Sequence, residues 1–317
     1  MPAMRETADD PGDNARVALL APSPILTVTL EHDGSEPELH LHAGGQGFWV
    51  ARMLRALDID VSFCAPLGGE IGIVLRALLE AEGLDLLGVD SAGWNGAYVH
   101  DRGPDELAEV GETPSPRLTR HEADTLYSAM VSAALVADVA ALTGPRSHEV
   151  IEADFYRRLA SDLRANSRRV GADLSGAALT SALEGGVDLL HISERELGEQ
   201  VDRPLSERQE TIAAVEQLRD AGASNVIVTR GSEPALALLD DRLVEVRGPV
   251  FEDRERRGPG DSMFAAVLAS LARDLPLEEA LRLGAAAGAI NAARRGLGSG
   301  SRDDIERLAR QVELHPC

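Results

Sequence analysis

The 317-residue chain contains no lysine; all 31 of its basic side chains are arginine. A Walker-type phosphate loop, a Schiff-base enzyme and a protein kinase each depend on a lysine amine, so these chemistries are excluded. Aromatic residues make up only 3% of the chain, which leaves Leu, Val, Ala and Ile to build the core. The two cysteines, Cys64 and the terminal Cys317, form neither a disulfide framework nor a metal-ligand spacing, as expected in a reducing cytoplasm. No apolar run is long enough to span a bilayer, and residues 1–15 are polar and acidic without the apolar stretch of a signal peptide, so they are expected to be a disordered tail. The 53 acidic residues outnumber the basic ones to give a formal charge of −22. That charge repels nucleic acid and anionic membrane and leaves small molecules as the expected partners.

A 44% hydrophobic content is enough for a substantial core. Its pattern alternates between two periods. Ile25–Leu30 alternates as a half-buried strand, here read as the first one, and Val61–Ala65, Val136–Thr143, Arg169–Asp173, Leu189–Ile192 and Asn225–Thr229 are further strand candidates. Helical spacing follows Gly44-Gly45-Gln46-Gly47 and Gly68-Gly69-Glu70-Ile71-Gly72, and recurs at Asp154–Arg164, Ala177–Leu183 and Thr211–Ala221. A hairpin is expected at Ala235–Leu239 and Leu243–Val246, turning at Asp240-Asp241. Helices over Asp261–Arg273, Leu277–Arg294 and Arg302–Val312 then close the chain. The alternation predicts one α/β domain over residues 16–317, a central, mainly parallel sheet covered by helices on both faces. Residues 31–43 and 90–120 break the pattern and are expected to be peripheral or lid segments. In such sheets ligands sit outside the carboxyl ends of the strands.

The sharpest local feature is Gly258-Pro259-Gly260-Asp261-Ser262 immediately before a helical run. Glycines let backbone N–H groups converge on an anion, the helix dipole adds positive potential there, and an adjacent aspartate can take a proton from an attacking hydroxyl. The same residues also make an ordinary turn and helix cap. Taken with Gly44–Gly47, Gly68–Gly72, Ala172-Asp173-Leu174-Ser175-Gly176 and Val226–Gly231, in that order, they give a chain that resembles the ribokinase, or PfkB, family of ATP-dependent sugar kinases from about Ile25 onward. The nearest resemblance is to the 1-phosphofructokinase and tagatose-6-phosphate kinase branch.

The resemblance implies a three-layer α/β/α fold with a small, reduced β lid, with ATP and Mg²⁺ as cofactors. It implies Asp261 as the catalytic base and Gly258, Pro259 and Gly260 as the anion hole. Thr229, Gly231, Ser193, Glu196 and the Ala287-Gly288 turn would serve the nucleotide, Glu196 also as the metal carboxylate. On the acceptor side it implies Asp33, Gly44, Gly45, Gln46 and Trp49. The acceptor would be a sugar or sugar phosphate, and a homodimer joined through the lid is a further expectation.

The chain departs from the family pattern at several positions. Gln46 and Trp49 stand where the family has a phosphate-neutralising lysine and a sugar-binding asparagine; Ser193 replaces the asparagine of Asn-x-x-Glu; Pro259 brings no N–H to the anion hole. Two other readings stay open on these grounds: a regulator that binds nucleotide or sugar without efficient catalysis, and a kinase of a nucleoside or other non-sugar alcohol that stacks on Trp49. His40 and His42 lack a third ligand and are read as solvent-facing; Arg256-Arg257, Arg102, Arg117 and Arg120 are weaker candidates for phosphate contacts.

Overall fold

In the computed structural model the described residues are 15–32, 36–102, 107–145, 147, 149–249, 258–293, 298 and 300–317. In chain order their elements are β1 (Arg16–Leu20), β2 (Ile25–Glu31), β3 (Glu38–Gly44), α1 (Gln46–Ala56), β4 (Asp60–Leu67), α2 (Gly69–Ala81), β5 (Asp85–Asp90), β6 (Gly96–Arg102) and β7 (Leu107–Thr113). There follow α3 (Arg120–Leu135), β8 (Val139–Thr143), α4 (Ala153–Ala165), β9 (Arg169–Asp173), α5 (Gly176–Gly185), β10 (Val187–Ser193), α6 (Glu194–Gln200), α7 (Arg208–Asp220) and β11 (Ala223–Arg230). The chain closes with β12 (Glu233–Leu239), β13 (Arg242–Arg247), α8 (Pro259–Ala272), α9 (Leu277–Ala293), α10 (Arg302–Ala309) and β14 (Glu313–Pro316).

Ten strands form one sheet in the order β14-β13-β12-β11-β10-β9-β8-β1-β4-β5. From β11 to β5 every pairing is parallel, while β12, β13 and β14 extend the sheet antiparallel. Successive residues of the central strands go to opposite faces. Val17, Leu19, Phe63 and Ala141 pack with α1, α8 and α9, whereas Ala18, Leu20, Cys64 and Leu142 pack with α3, α4 and α5. Both faces are buried, so these strands read as unbroken apolar runs. Burial also pushes the Cys64 thiol up to about 12, which removes it as a nucleophile.

The second sheet, in the order β3-β2-β6-β7, is the lid. The first core strand is therefore Arg16–Leu20, and Ile25–Leu30 belongs to the lid. The segment 90–120, expected to be peripheral or lid, supplies two lid strands, β6 and β7. The chain crosses from core sheet to lid at Ala21-Pro22-Ser23-Pro24. Asn95 holds that crossing: its side chain donates to Pro24 O at 3.3 Å and Pro66 O at 3.0 Å and accepts from Gly68 N at 2.8 Å.

Candidate active site

Strand register assembles the site. Along the carboxyl ends, Thr143 pairs with Asp173, Asp173 with His191, and Ser193 with Thr229. Residues from four parts of the sequence thus stand side by side. A cavity of about 320 Å³ opens there, lined among others by Ser23, Gln46, Thr143, Asp173, Ser175 and Glu196.

Gly258 caps α8 at φ 84°, a left-handed conformation that glycine adopts without strain, and Pro259 occupies the first helical position. The Ser262 N–H is bonded to Gly258 O at 3.0 Å, so Gly260 and Asp261 carry the N–H donors of this turn that have no partner among the described residues. Asp261 is pushed up to about 8 by burial first and by Asp173 and Glu196 next, against the opposing pull of His191. A carboxyl so placed is a stronger proton acceptor than an exposed one.

His191 is 4% exposed, and its Nδ1 lies 2.8 Å from Asp173 Oδ2. Burial alone would lower the imidazole; Asp173, Asp261 and Glu196 together raise it above its ordinary value. Ser193 caps α6 and donates its hydroxyl to Glu196 Oε2 at 2.5 Å, so it steadies Glu196, a residue of the cavity wall. Gln46 lines the cavity and its Oε1 accepts from Gly144 N at 2.9 Å, tying the start of α1 to the end of β8.

Other candidates fall elsewhere. Trp49 packs edge-on against Phe48, with ring centroids 4.9 Å apart, and does not line the cavity. Gly44 ends β3 against Thr27, and Gly45 turns into α1 at φ 97° on the cavity wall. Thr229 lies beside Gly260, while Gly231 turns the β11–β12 hairpin at φ 61° with open space around it. Ala287 and Gly288 form no turn. Both lie inside α9, Ala287 fully buried and Gly288 against Pro259 O. Asp33, Arg256 and Arg257 lie outside the described residues. His40 pairs with Glu31 and Glu38 on the lid, and Arg102, Arg117 and Arg120 pair with Glu31, Glu152 and Asp124.

Sequence reasoning missed two residues. His191 sits in an apolar strand and gains its partner only through register. Ser23 lines the cavity with its hydroxyl buried and unpartnered among the described residues; the Pro-Ser-Pro break between two apolar segments was its one signal.

Strand ends here face a glycine-headed helix with an ionisable carboxyl in its first turn, an α/β arrangement that offers backbone N–H groups and no lysine to an anion. The sequence profile described as "pfkB family carbohydrate kinase" matches residues 24–304, and the chain belongs to that family as an ATP-dependent carbohydrate kinase. It is 31% identical to the ATP-dependent 6-phosphofructokinase isozyme 2 of Mycobacterium tuberculosis, over 92% of this chain and 88% of that protein. It is 26% identical to the 1-phosphofructokinase of Bacillus subtilis, over 86% and 88%. The phosphofructokinase-2 of Escherichia coli has a similar solved structure, with a TM-score of 0.82 and 25% identity over 94% of this chain and 98% of that one.

Proposed function

We propose that the protein transfers the γ-phosphoryl group of ATP to an alcohol of a sugar or sugar phosphate, with Asp261 as the base that takes the hydroxyl proton. The observation that carries this reading is the placement of Asp261, its pKa pushed up to about 8, in the first turn of α8 among the side chains at the strand ends. Gly260 and Asp261 N–H groups and the dipole of α8 stabilise charge on the transferred group. Gln46, Ser23 and Ser175 would present polar groups to the acceptor, and the lid sheet, joined to the core sheet through Ala21–Pro24, would exclude water. A sugar phosphate is favoured by the relatives' names, and a solved E. coli phosphofructokinase-2 with a TM-score of 0.78 to this chain carries fructose-6-phosphate.

Mg²⁺ fits the donor set. This ion keeps most of its waters and is carried by substrate phosphates with one or two carboxylates. Glu196 on the cavity wall supplies one, and no cluster of three such ligands occurs among the described residues. When bound, the ion neutralises charge on the β- and γ-phosphates. Glu196 would hold it, steadied by Ser193.

ADP release with ATP and Mg²⁺ across a panel of sugars, sugar phosphates, polyols and nucleosides tests the reading. One carbohydrate member is expected to stimulate it at least tenfold above the rate without acceptor. Stimulation by a nucleoside alone, or by none, overturns it; the nucleoside reading has lost its support, since Trp49 is not on the cavity wall.

A homodimer and a cytoplasmic location belong to the same proposal. Leu39 and Leu41 on β3 and Val110 on β7 are exposed at 63%, 41% and 66%, apolar side chains at the two edges of the lid sheet that a second copy would cover. Light scattering is expected to give twice the 33.7 kDa chain mass; a strictly monomeric mass at micromolar concentration rules the dimer out.

A further inference from the structure

The anion hole at the head of α8 lacks one donor. Pro259 has no N–H, and the Ser262 N–H is engaged by Gly258 O, so two backbone donors remain where an ordinary first turn offers three. Against the same turn lies His191. A Cβ built on Gly260 would meet its Cε1 at 3.0 Å and its Nε2 at 3.5 Å, so this edge of the ring faces the head of the helix. Nε2 is buried and has no hydrogen-bond partner among the described residues. A polar atom sealed in this way is costly unless something completes it.

The ring is held in place from two other sides. Asp173 Oδ2 fixes Nδ1 at 2.8 Å, and Phe264, one turn further along α8, stacks on it with centroids 6.0 Å apart and planes 30° apart. With Nδ1–H donated to Asp173, Nε2 is an acceptor in the neutral ring and a donor in the charged one. The ionisable groups that act on it are Asp173 from β9, Asp261 from α8 and Glu196 from α6, all of them acidic, and together they raise its proton affinity against the effect of burial. Once protonated, the ring offers an otherwise unpartnered Nε2–H beside the turn, which suits an anionic oxygen.

We propose that His191 is the third donor of this anion hole, its Nε2–H bonding an oxygen of the phosphoryl group in compensation for the proline nitrogen, with Asp173 as the residue that positions it. This rests on the kinase reading above. No proton leaves the ring during transfer; the imidazolium is a fixed donor, and the acceptor's proton goes to Asp261.

The test compares His191→Leu, His191→Gly and His191→Lys with the wild type. Loss of one such donor lowers kcat by about 10²–10³-fold. His191→Leu is expected to show that loss with the acceptor KM within about threefold of wild type. His191→Lys, which restores a buried cationic donor, should recover at least tenfold over it, and added imidazole should raise the turnover of His191→Gly. A merely structural histidine would give neither the rescue nor a kcat-only loss. A second measurement needs neither acceptor nor variant: adding ADP, Mg²⁺ and aluminium fluoride to the wild type is expected to shift the ¹⁵N resonance of Nε2. Turnover of His191→Leu within twofold of an active wild type, or an Nε2 resonance unmoved by the bound analogue, overturns the proposal. An inactive wild type on the whole acceptor panel would instead count against the kinase reading, and the resonance would still report on His191.

Discussion

Asp261→Asn is expected to lower kcat by about 10²–10⁴-fold, the usual contribution of a positioned proton acceptor, while nucleotide binding persists. Asparagine keeps the size of the side chain and the start of α8 but cannot take the hydroxyl proton. The pKa of Asp261 makes the same point in two further ways. With the carboxyl pushed up to about 8, wild-type kcat/KM should climb with pH through that region and level off above it, because the base works only when ionised. The sign for stability is opposite. The unfolded group ionises near 3.8 and the folded one near 8, so the folded state binds the extra proton between these values, and the contribution of Asp261 to stability falls as pH rises through them. Asp261→Asn should therefore melt higher than wild type at pH 8 and no higher at pH 4. Thermal scans and initial rates on one preparation check both. Retained turnover in Asp261→Asn, or a melting difference independent of pH, would sink the assignment of this residue as the base.

This trade of stability for chemistry was only half legible in the sequence. Gly258-Pro259-Gly260-Asp261 announces itself, because left-handed glycine, proline at the first helical position and an acid in the first turn are all local signals. The raised pKa is not local; it arises from burial first and then from Asp173 and Glu196, against the pull of His191, groups that parallel register and the α6 cap bring alongside. The misreading of the first strand has a physical cause too. Ile25–Glu31 alternates apolar and polar residues in sequence, and alternation is the pattern a sequence reader trusts. Arg16–Leu20 lies in the middle of a parallel sheet and is apolar on both sides, so it reads as a bare run next to a polar tail. That shift moved the expected acceptor contact to Asp33, whereas the strand end that lines the cavity is Ala21–Pro24, with Ser23 as its polar group. Trp49 was misplaced for a simpler reason: two positions beyond Gly47 on a helix of 3.6 residues per turn, it points away from the wall that Gly45, Gln46 and Gly47 form.

Gly47→Ala is expected to lower kcat/KM by about 10²-fold, through geometry alone. A Cβ at Gly47 would lie 2.5 Å from the Cβ of Ala21, 3.1 Å from its Cα and 3.1 Å from Thr143 Oγ1. None of these can yield cheaply. Ala21 follows β1, the strand between β8 and β4, and the Thr143 hydroxyl is bonded to Leu20 O at 2.7 Å. The start of α1 must then retreat by about 1 Å to restore ordinary contact, a displacement that can cost about 10²-fold when it misplaces reacting groups. It would carry Gln46 with it, straining the bond to Gly144 and widening the cavity between the strand ends. The affinity for ATP, whose proposed contacts at Thr229, Glu196 and the head of α8 lie on other elements, should stay within about threefold. Steady-state kinetics with the best acceptor, alongside an ATP titration, separates the two sites. An equal loss on both sides would mean that Gly47 matters to the whole fold; an unchanged kcat/KM would mean that the acceptor does not use the wall between α1 and β1, and that the cavity at the strand ends is not where the hydroxyl waits for Asp261.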